Sequence, residues 1–373
     1  MLSAGVIGSY VKKHEKRVPI HPEHLASIPP QLRERLVFEQ GYGERFGVSD
    51  EQLRAFCRVA SRDEVIRQPL VVLAKPVQAD LQEMSQGATL WGWAHCVQNP
   101  GVVQAAIERK LTVMTWEGMN VWSDSGAWQS HVFSKNNEIA GYAGVLHALS
   151  LRGTTGHYGR ERKAVIIHLG SVGKGALKAL IALGIGNITV VVRKRSADLP
   201  ALKAVRYLEL DDSDPNHLTL QMDHGTRPLI EELASADVIV NAILQDTDRP
   251  LMFVREHNIA TLKKSSLIVD VACDTGMGFA FARPTTFEEP MLKIGDLYYY
   301  AVDHTPSYLW ESATWEISSA LLPFLSDALA GPGDCERNTV LRRAVEMRDG
   351  VILNEKIATF QKRSMQYPHP ILR

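Results

Sequence analysis

The chain has 373 residues, of which 45% are hydrophobic and 22% charged, and its formal net charge at pH 7 is −1. This composition is that of an ordinary globular protein, and the length predicts two domains. The charge gives no electrostatic reason to expect nucleic acid or an anionic membrane as a partner, and no apolar run is long enough to span a bilayer. At the N-terminus the basic residues follow the apolar ones, the reverse of a signal peptide. Four scattered cysteines without metal-ligand spacing indicate no metal site and predict a reducing, cytoplasmic location.

The first part of the chain has the pattern of an α/β region. Short apolar runs predict strands, and helical stretches lie between them, one of them opened by a capping box of Ser49 and Gln52. The predicted strands are residues 4–8, 36–39, 70–74, 89–94 and 111–116.

Polar side chains follow three of these strands directly. Lys75 follows LVVLA, His95 follows LWGWA, and Glu117 follows TVMTW. Ligands of open α/β sheets bind at the edge where the strands end, so the three side chains are candidate site residues. Singly, each has an ordinary explanation as a loop charge or a packed histidine, but together they favour a functional one. Arg17, in EKRVPI, adds a cation that could hold a substrate carboxylate, although alone it would indicate a surface charge.

The segment 164–195 predicts a strand, a glycine turn, a helix and a second strand. The run 165–167 is typical of a buried parallel strand, helix formers continue over 176–183, and 188–192 is a β-branched run. This succession is that of a βαβ unit that binds a dinucleotide. The alternative is a crossover without a nucleotide, followed by a solvated basic turn.

The turn of this unit carries the cofactor prediction. In the pattern G-x-G-x-x-G, His168 occupies the place of the first glycine, so the match is imperfect. The flanking strand and helix nevertheless stand in the required order. The residues expected to approach the pyrophosphate are Gly170, Ser171, Val172 and Gly173.

The residues after the second strand indicate which dinucleotide binds. Arg193 lies 20 residues beyond Gly173 and is followed by Lys194 and Arg195. An NAD site usually has a carboxylate at this distance, whereas a guanidinium suits the 2′-phosphate of NADP, which a carboxylate would repel. The sequence therefore predicts NADP(H) as the cofactor.

Later elements complete the predicted architecture. Runs 237–243 and 267–272 end in polar residues, as strands facing a cofactor do, and the pattern of 314–329 is helical. The loop around Pro306 is expected to return the chain to the first domain. We predict an α/β protein of two Rossmann-like, doubly wound domains with a cleft between them. The substrate (catalytic) domain comprises 1–137 plus 305–373 and is discontinuous, and the NADP(H)-binding Rossmann domain comprises 138–304.

Motifs over nearly the whole chain resemble, in the same order, those of the alanine dehydrogenase and lysine-forming saccharopine dehydrogenase superfamily. Within it, the chain is most similar to the N5-(1-carboxyethyl)ornithine synthases, which use NADPH and carry Tyr-Arg-Lys where this chain has Val192-Arg193-Lys194. Saccharopine dehydrogenases have an acidic residue after the lysine, where this chain has Pro76. The motifs are KRVPI with Arg17, LAKP with Lys75, WAHC with His95, NEIAGYAGV from Asn137, VDVACDTG from Val269 and YYAVDHTPS from Tyr299.

The resemblance implies that an amine is joined reductively to a 2-oxo acid. Every step of this reaction except hydride transfer moves a proton, and His95 is the expected acid and base because imidazole titrates near neutral pH. Lys75 is either a neutral base or, as we favour, a charged group that polarises the oxo acid's carbonyl. Arg17 is expected to bind the oxo acid's carboxylate through its fork of N–H groups.

Further roles follow from the same resemblance. Asp274 and Asp303, in loops expected to face the cofactor, are candidates to orient water or to bind the amino substrate. Asp274 is also a candidate cofactor contact, although it could equally be a turn residue of DTGMG. Glu117 and Asp303 would pair with the ammonium group of the substrate, because a buried cation must be paired.

The sequence thus predicts an NADPH-dependent, opine-type amino acid dehydrogenase that joins a pyruvate-like oxo acid to the side-chain amine of ornithine or lysine. Its partners would be these small molecules, and a homo-oligomer is expected. One alternative is an oxidoreductase of the saccharopine or alanine dehydrogenase type. Another is a non-catalytic NADP(H)-binding sensor, which the combination of Lys75, His95 and Arg17 disfavours because a sensor needs no acid-base groups.

Overall fold

The computed structural model describes residues 1–194, 199–245, 249–335 and 337–372. The chain forms two compact units, one of residues 1–134 with 310–373 and the other of residues 135–309. The predicted boundary after residue 137 falls within the helix Ser134–Leu151. This helix begins three residues before Asn137, where the motif NEIAGYAGV starts. Residues Thr305–Leu309, expected in the first domain, form a 3₁₀ helix of the second unit.

The first unit is built on an eight-stranded sheet. Its six strands from the N-terminal part of the chain are parallel, and two C-terminal strands extend the sheet in antiparallel orientation. The strand order of the parallel part is 3-2-1-4-5-6, which places a reversal between Ala4–Val6 and Leu70–Val72. From one edge to the other the strands are Val351–Ile352, Val345–Arg348, Thr112–Thr115, Thr89–Gly92, Leu70–Val72, Ala4–Val6, Leu36–Glu39 and Arg58–Ala60.

Helices connect and cover these strands. The predicted capping box is present, because Ser49 Oγ accepts from the Gln52 amide at 3.3 Å and Gln52 Oε1 accepts from the Ser49 amide at 2.7 Å. The α-helices are Pro30–Arg33, Asp50–Arg54, Arg62–Val65, Gln78–Glu83, Pro100–Glu108, Trp310–Leu321, Leu325–Ala330, Pro332–Cys335, Thr339–Arg343 and Glu355–Gln361. The 3₁₀ helices are Pro22–Ser27, Glu44–Phe46 and Leu322–Phe324, and a separate hairpin comprises Asn120–Trp122 and Trp128–His131.

The single helix predicted over 314–329 is divided in the structure. Trp310–Leu321 and Leu325–Ala330 are α-helical, and the 3₁₀ segment Leu322–Phe324 separates them. Pro323 lies in this segment and has no amide hydrogen to donate to the preceding turn. The apolar periodicity continues across the interruption, and for that reason the periodicity alone predicted one helix.

The second unit has a nine-stranded sheet whose six central strands are parallel and again run in the order 3-2-1-4-5-6. From edge to edge the strands are Thr226–Pro228, Thr219–Gln221, Val205–Asp211, Asn187–Val192, Lys163–Ile167, Val238–Asn241, Leu267–Asp270, Leu297–Tyr300 and Met291–Ile294. The helices are Ser134–Leu151, Ser171–Ala182, Leu229–Ala234 and the 3₁₀ helices Glu256–Thr261 and Thr305–Leu309, and a two-stranded ribbon pairs Met252–Val254 with Gly278–Phe279.

The predicted fold class is therefore confirmed as α/β with two Rossmann-like units. Within the described parts of the chain, no helix is both long and apolar enough to cross a membrane.

Two helices of the second unit approach each other through glycine. A Cβ placed on Gly175 would lie 1.7 Å from the Glu138 carbonyl oxygen, and one placed on Gly141 would lie 1.9 Å from the Val172 carbonyl oxygen. Backbone atoms cannot move away as a flexible side chain can, so any side chain at either position would push the helices apart. The helix Ser171–Ala182, which follows the glycine turn, is thereby held against the helix Ser134–Leu151.

We expect Gly175→Ala to lower the thermal unfolding temperature, because overpacking of this kind typically costs about 1–3 kcal/mol. Gly186→Ala is the matched control, since no described atom lies within 4 Å of the Cβ it would add. The control should change stability by less than about 0.5 kcal/mol. Calorimetry of both variants checks this, and equal unfolding temperatures would show that the helices can separate freely.

Candidate active site

Lys75, His95 and Glu117 form a connected chain at the ends of three neighbouring strands of the first unit. Lys75 Nζ lies 2.6 Å from His95 Nε2, and Glu117 Oε1 lies 3.1 Å from His95 Nδ1. The strands before them, Leu70–Val72 and Thr89–Gly92 among them, are parallel neighbours, so their ends deliver the side chains to one edge. The structure thus brings together the three residues that the sequence placed after strands.

One carboxyl oxygen of Glu117 contacts two nitrogen atoms of His95. Its Oε1 also accepts from the His95 backbone amide at 2.8 Å, and His95 has a positive φ of 47°. A residue other than glycine adopts this left-handed conformation at a cost, and the surrounding contacts must maintain it. The His95 side chain remains 42% exposed, so the imidazole is both oriented and reachable. A donor ammonium at Nε2 needs the lone pair of that nitrogen, so the contacts fit a ring that carries its proton on Nδ1 and donates it to Glu117 Oε1.

Glu117 is itself influenced by a carboxyl group that the sequence did not single out. Burial and the nearby carboxyl of Glu346 raise the pKa of Glu117 above its ordinary value. Burial also raises the pKa of Glu346, which accepts from Asn354 Nδ2 at 3.2 Å. Glu346 reaches this place because its strand pairs with Thr112–Thr115, a long-range contact that has no local sequence pattern.

Arg17 is buried, in contrast to the surface position that its sequence context alone would indicate. Only 3% of the residue is exposed, and its guanidinium pairs with Glu15 through Nε at 2.8 Å and through a second nitrogen at 2.5 Å. Its Cζ lies 5.0 Å from the ring centroid of Trp93. The fork expected to bind a substrate carboxylate is therefore already engaged by Glu15, and the packing of the ion pair on Trp93 keeps it out of water.

Trp93 belongs to a cluster of aromatic rings beside the strand ends. Its ring centroid lies 4.7 Å from that of Trp116 and 5.3 Å from that of Phe133. These are edge-to-face arrangements, which aromatic pairs prefer. The cluster supports the segment before His95 and also the segment before Glu117, so it fixes the base of both side chains.

The glycine turn of the second unit has the close approaches that its sequence predicts. A Cβ on Gly173 would lie 2.1 Å from the His168 carbonyl oxygen, so only glycine fits there. Gly170 is the N-cap of the helix Ser171–Ala182, and Ser171 and Val172 stand in its first turn. Amide groups at the start of a helix attract anions, so this turn fits the pyrophosphate of a dinucleotide.

Arg193 and Lys194 are exposed at the end of the strand Asn187–Val192, as predicted. Arg193 Nε lies 3.3 Å from Asp212 Oδ2, a pairing that the sequence did not indicate. These residues fit a phosphate group beside the ribose. Arg195 lies outside the described residues.

Asp270, rather than Asp274, is the more tightly held carboxyl after the strand Leu267–Asp270. It is 1% exposed and accepts from Asn241 Nδ2, the Cys273 amide and Tyr299 Oη at 2.9, 3.0 and 2.8 Å. Burial raises the pKa of Asp270 to about 6 despite these donors. Asp274 is half-buried in the loop that Asp270 anchors, and burial raises its pKa as well.

Asp303 pairs with His304 through Oδ1 and Nδ1 in the loop before the 3₁₀ helix Thr305–Leu309. The His304 ring lies 4.5 Å from that of Phe287, measured between centroids. Thr305 Oγ1 donates to the Ala140 carbonyl at 2.9 Å and so ties the loop to the helix Ser134–Leu151. The described residues contain no group of three or more histidines, cysteines or carboxylates arranged to hold a metal ion.

Comparisons with known proteins agree with this architecture. N(5)-(carboxyethyl)ornithine synthase of Clostridium botulinum is 27% identical over 329 residues, which cover 84% of this chain and 92% of that protein. Alanine dehydrogenase of Mycolicibacterium smegmatis is 23% identical over 368 residues, covering 94% of this chain and 95% of that protein. Among solved structures, an L-alanine dehydrogenase superposes with a TM-score of 0.74 at 19% identity, covering 96% of this chain and 99% of that one. A transhydrogenase from Sinorhizobium meliloti superposes with a TM-score of 0.66 at 16% identity, covering 92% and 97%.

Two family models match the chain in succession. Residues 6–140 match the model described as alanine dehydrogenase/PNT, N-terminal domain, and residues 152–355 match alanine dehydrogenase/PNT, C-terminal domain. The second match alone covers more than half of the chain, and both keep the order of the two units. The chain therefore belongs to the alanine dehydrogenase/PNT family.

Proposed function

We propose that this protein is an NADPH-dependent amino acid dehydrogenase of the opine type, which joins a 2-oxo acid to the side-chain amine of a diamino acid. The observation that carries the proposal is the chain of contacts from Lys75 through His95 to Glu117, since this reaction needs a group that both accepts and returns protons. The similarity to N(5)-(carboxyethyl)ornithine synthase supports the substrate class.

His95 is proposed to move the protons of the condensation. As the amine attacks the oxo acid's carbonyl carbon, its nitrogen loses a proton, which the imidazole accepts at Nε2 while the Lys75 ammonium turns from this nitrogen to the carbonyl oxygen. The imidazolium returns this proton to the alkoxide oxygen, which gives the carbinolamine. A second proton, supplied by solvent, then lets the hydroxyl leave as water, and the nitrogen lone pair forms the protonated imine. Between proton uptake and return, Glu117 Oε1 accepts a hydrogen bond from Nδ1 and keeps the imidazolium oriented. Bound NADPH supplies the hydride that reduces the imine.

Lys75 is proposed to act as a charged group. Its 2.6 Å contact with His95 Nε2 suits an ammonium that donates to a neutral imidazole. A positive charge in this position also polarises the carbonyl bond of the oxo acid and stabilises the oxygen as negative charge develops on it. The alternative, a neutral amine acting as base, would leave His95 Nε2 facing a weaker donor.

Arg17 is proposed to bind the oxo acid's carboxylate, with a revised geometry. Because Glu15 already occupies the guanidinium, a substrate carboxylate would have to share Arg17 with Glu15 or replace it. Asp303 is proposed for the ammonium group of the amino substrate, and Asp274 for orienting water or the cofactor. The segment 170–173, Arg193 and Lys194 are proposed to hold the dinucleotide.

A simpler amino acid dehydrogenase remains the second candidate, since the alanine dehydrogenase of M. smegmatis matches 94% of this chain. That enzyme type would take ammonia in place of the diamino acid. The same acid-base chain serves both reactions, so the amine donor distinguishes them.

We expect NADPH to be consumed only when pyruvate or a similar oxo acid is present together with ornithine or lysine. The measurement is NADPH absorbance over a grid of oxo acids and amines, followed by mass spectrometry of the product. A secondary amine that carries both carbon skeletons is the expected product. If pyruvate and ammonia instead give alanine at comparable efficiency and no adduct forms, the protein is the simpler dehydrogenase.

The protein should bind NADPH more tightly than NADH, and Arg193→Asp should erase or reverse this preference. Loss of a charge-assisted phosphate contact costs on the order of 2 kcal/mol, which is more than tenfold in affinity. Arg67→Asp is a matched charge reversal at an arginine that is 61% exposed and far along the chain from the glycine turn. Fluorescence titration measures both affinities. Equal affinities of the unmodified protein for NADPH and NADH would refute the cofactor assignment.

His95→Ala and Lys75→Ala should each lower turnover by about 10²–10⁴-fold, the usual contribution of a general acid or base. NADPH affinity should remain nearly unchanged in both, because neither residue belongs to the glycine turn. The controls are His217→Ala and Lys264→Ala, whose side chains are 82% and 87% exposed. Steady-state kinetics and NADPH titration separate the two effects. A variant that keeps about half of the activity has lost no acid-base group of this kind.

A further inference from the structure

We propose that His168 is a second contact for the 2′-phosphate of NADPH, beside Arg193, and that it makes the choice between NADPH and NADH depend on pH. This inference rests on the proposed function in one respect, namely that the second unit binds NADPH. It assigns a role to the residue that breaks the glycine pattern of the turn.

The backbone places His168 between the glycine turn and the strand that leads to Arg193. His168 follows Lys163–Ile167, and its amide donates to the Val191 carbonyl at 2.8 Å on the adjacent strand. Its φ is +76°, in the left-handed region that favours glycine. Histidine therefore adopts the conformation of the glycine it replaces, and a strained backbone of this kind is usually retained where a side chain has a function.

The imidazole lies over the turn and has an unused polar atom. A Cβ placed on Gly170 would lie 3.2 Å from His168 Nε2, so the ring stands against the residue that begins the helix. Nδ1 is shielded from solvent and makes no hydrogen bond within the described part of the chain. Buried polar atoms in native proteins are nearly always paired, and a ligand that supplies the partner explains one that is not.

The charges around His168 suit a doubly charged anion. Burial and the positive charge of Arg193 lower the pKa of His168 below its ordinary value, so the ring is neutral at pH 7 in the free protein. Arg193 is in turn held by Asp212 through Nε. Lys194, exposed beside Arg193 at the end of the same strand, adds a further positive charge.

A phosphate next to both side chains would raise the pKa of His168 again. Its negative charge offsets that of the guanidinium and favours the protonated imidazole, so NADPH binding would take up a proton at His168. NADH has a neutral 2′-hydroxyl in this place and would take up none. NADPH affinity should therefore be high at low pH and fall as the pH rises through the pKa that His168 has in the complex, whereas NADH affinity should not follow it.

Two substitutions test the role without endangering the fold. His168→Gly restores the glycine that the positive φ favours, and His168→Asn keeps a polar side chain that tolerates this conformation but carries no charge. The unfolding temperature of His168→Gly should equal or exceed that of the unmodified protein, so weaker binding could not be attributed to misfolding.

Calorimetric titration with NADPH and with NADH from pH 6.5 to 8.5 gives the decisive comparison. In the unmodified protein, the preference for NADPH should fall by at least about fivefold over this range, since one charge-assisted contact is lost. In both variants, NADPH affinity at pH 6.5 should fall by about tenfold, NADH affinity should stay unchanged, and the preference should vary with pH only as the phosphate itself titrates. His168→Asn also corrects for the titration of the phosphate itself, whose second pKa is about 6.

Three outcomes would overturn the inference. If the variants bind NADPH as tightly as the unmodified protein, or keep its pH dependence, His168 does not contact the phosphate, while the cofactor assignment stands on Arg193. If both variants lose affinity for NADPH and for NADH to the same extent, His168 supports the turn and does not contact the phosphate. If the unmodified protein binds neither dinucleotide, the proposed function fails together with the inference.

Discussion

The double contact of Glu117 with His95 is the constraint on which the candidate site depends. One carboxylate oxygen accepts from the backbone amide of His95 and also lies beside its ring nitrogen, so it fixes the strained backbone and the direction of the imidazole together. The opposite nitrogen then faces Lys75. Two neighbours act on this same contact. The aromatic rings that pack around Trp93 support the strand ends that carry both residues, and the carboxyl of Glu346 raises the pKa of Glu117.

The two units use one strand order for two different tasks. Both run 3-2-1-4-5-6, which opens a binding edge where the order reverses. In the second unit this edge carries a glycine turn, where Gly173 leaves room for the backbone and a helix presents its first amides. In the first unit the strand ends carry charged and aromatic side chains. The division fits a protein in which one unit holds a dinucleotide through its backbone and the other moves protons with its side chains.

Sequence reasoning succeeded where parallel strands end in polar residues, because the position of Lys75, His95 and Glu117 follows from the order of the strands alone. It could not find Glu346, since the antiparallel pairing that places it joins distant parts of the chain. Arg17 was predicted as a substrate-binding cation, but its pairing with Glu15 was not. That pairing depends on burial against Trp93, which no local sequence pattern indicates. The strand Val205–Asp211 was missed because the charged residues Arg206 and Glu209 interrupt its apolar run. The interruption at Pro323 was hidden because the helical periodicity continues across it.

The protonation state of His95 tests the proposed acid-base chain most directly. Nitrogen-detected NMR of ¹⁵N-labelled protein distinguishes the two ring nitrogens, and His95→Ala identifies which of the 13 histidines gives the signal. Near pH 8 we expect a neutral ring with its proton on Nδ1, and Glu117→Gln should disturb this preference. A ring that carries its proton on Nε2 could not accept from Lys75, and it would contradict the proposed path of the proton.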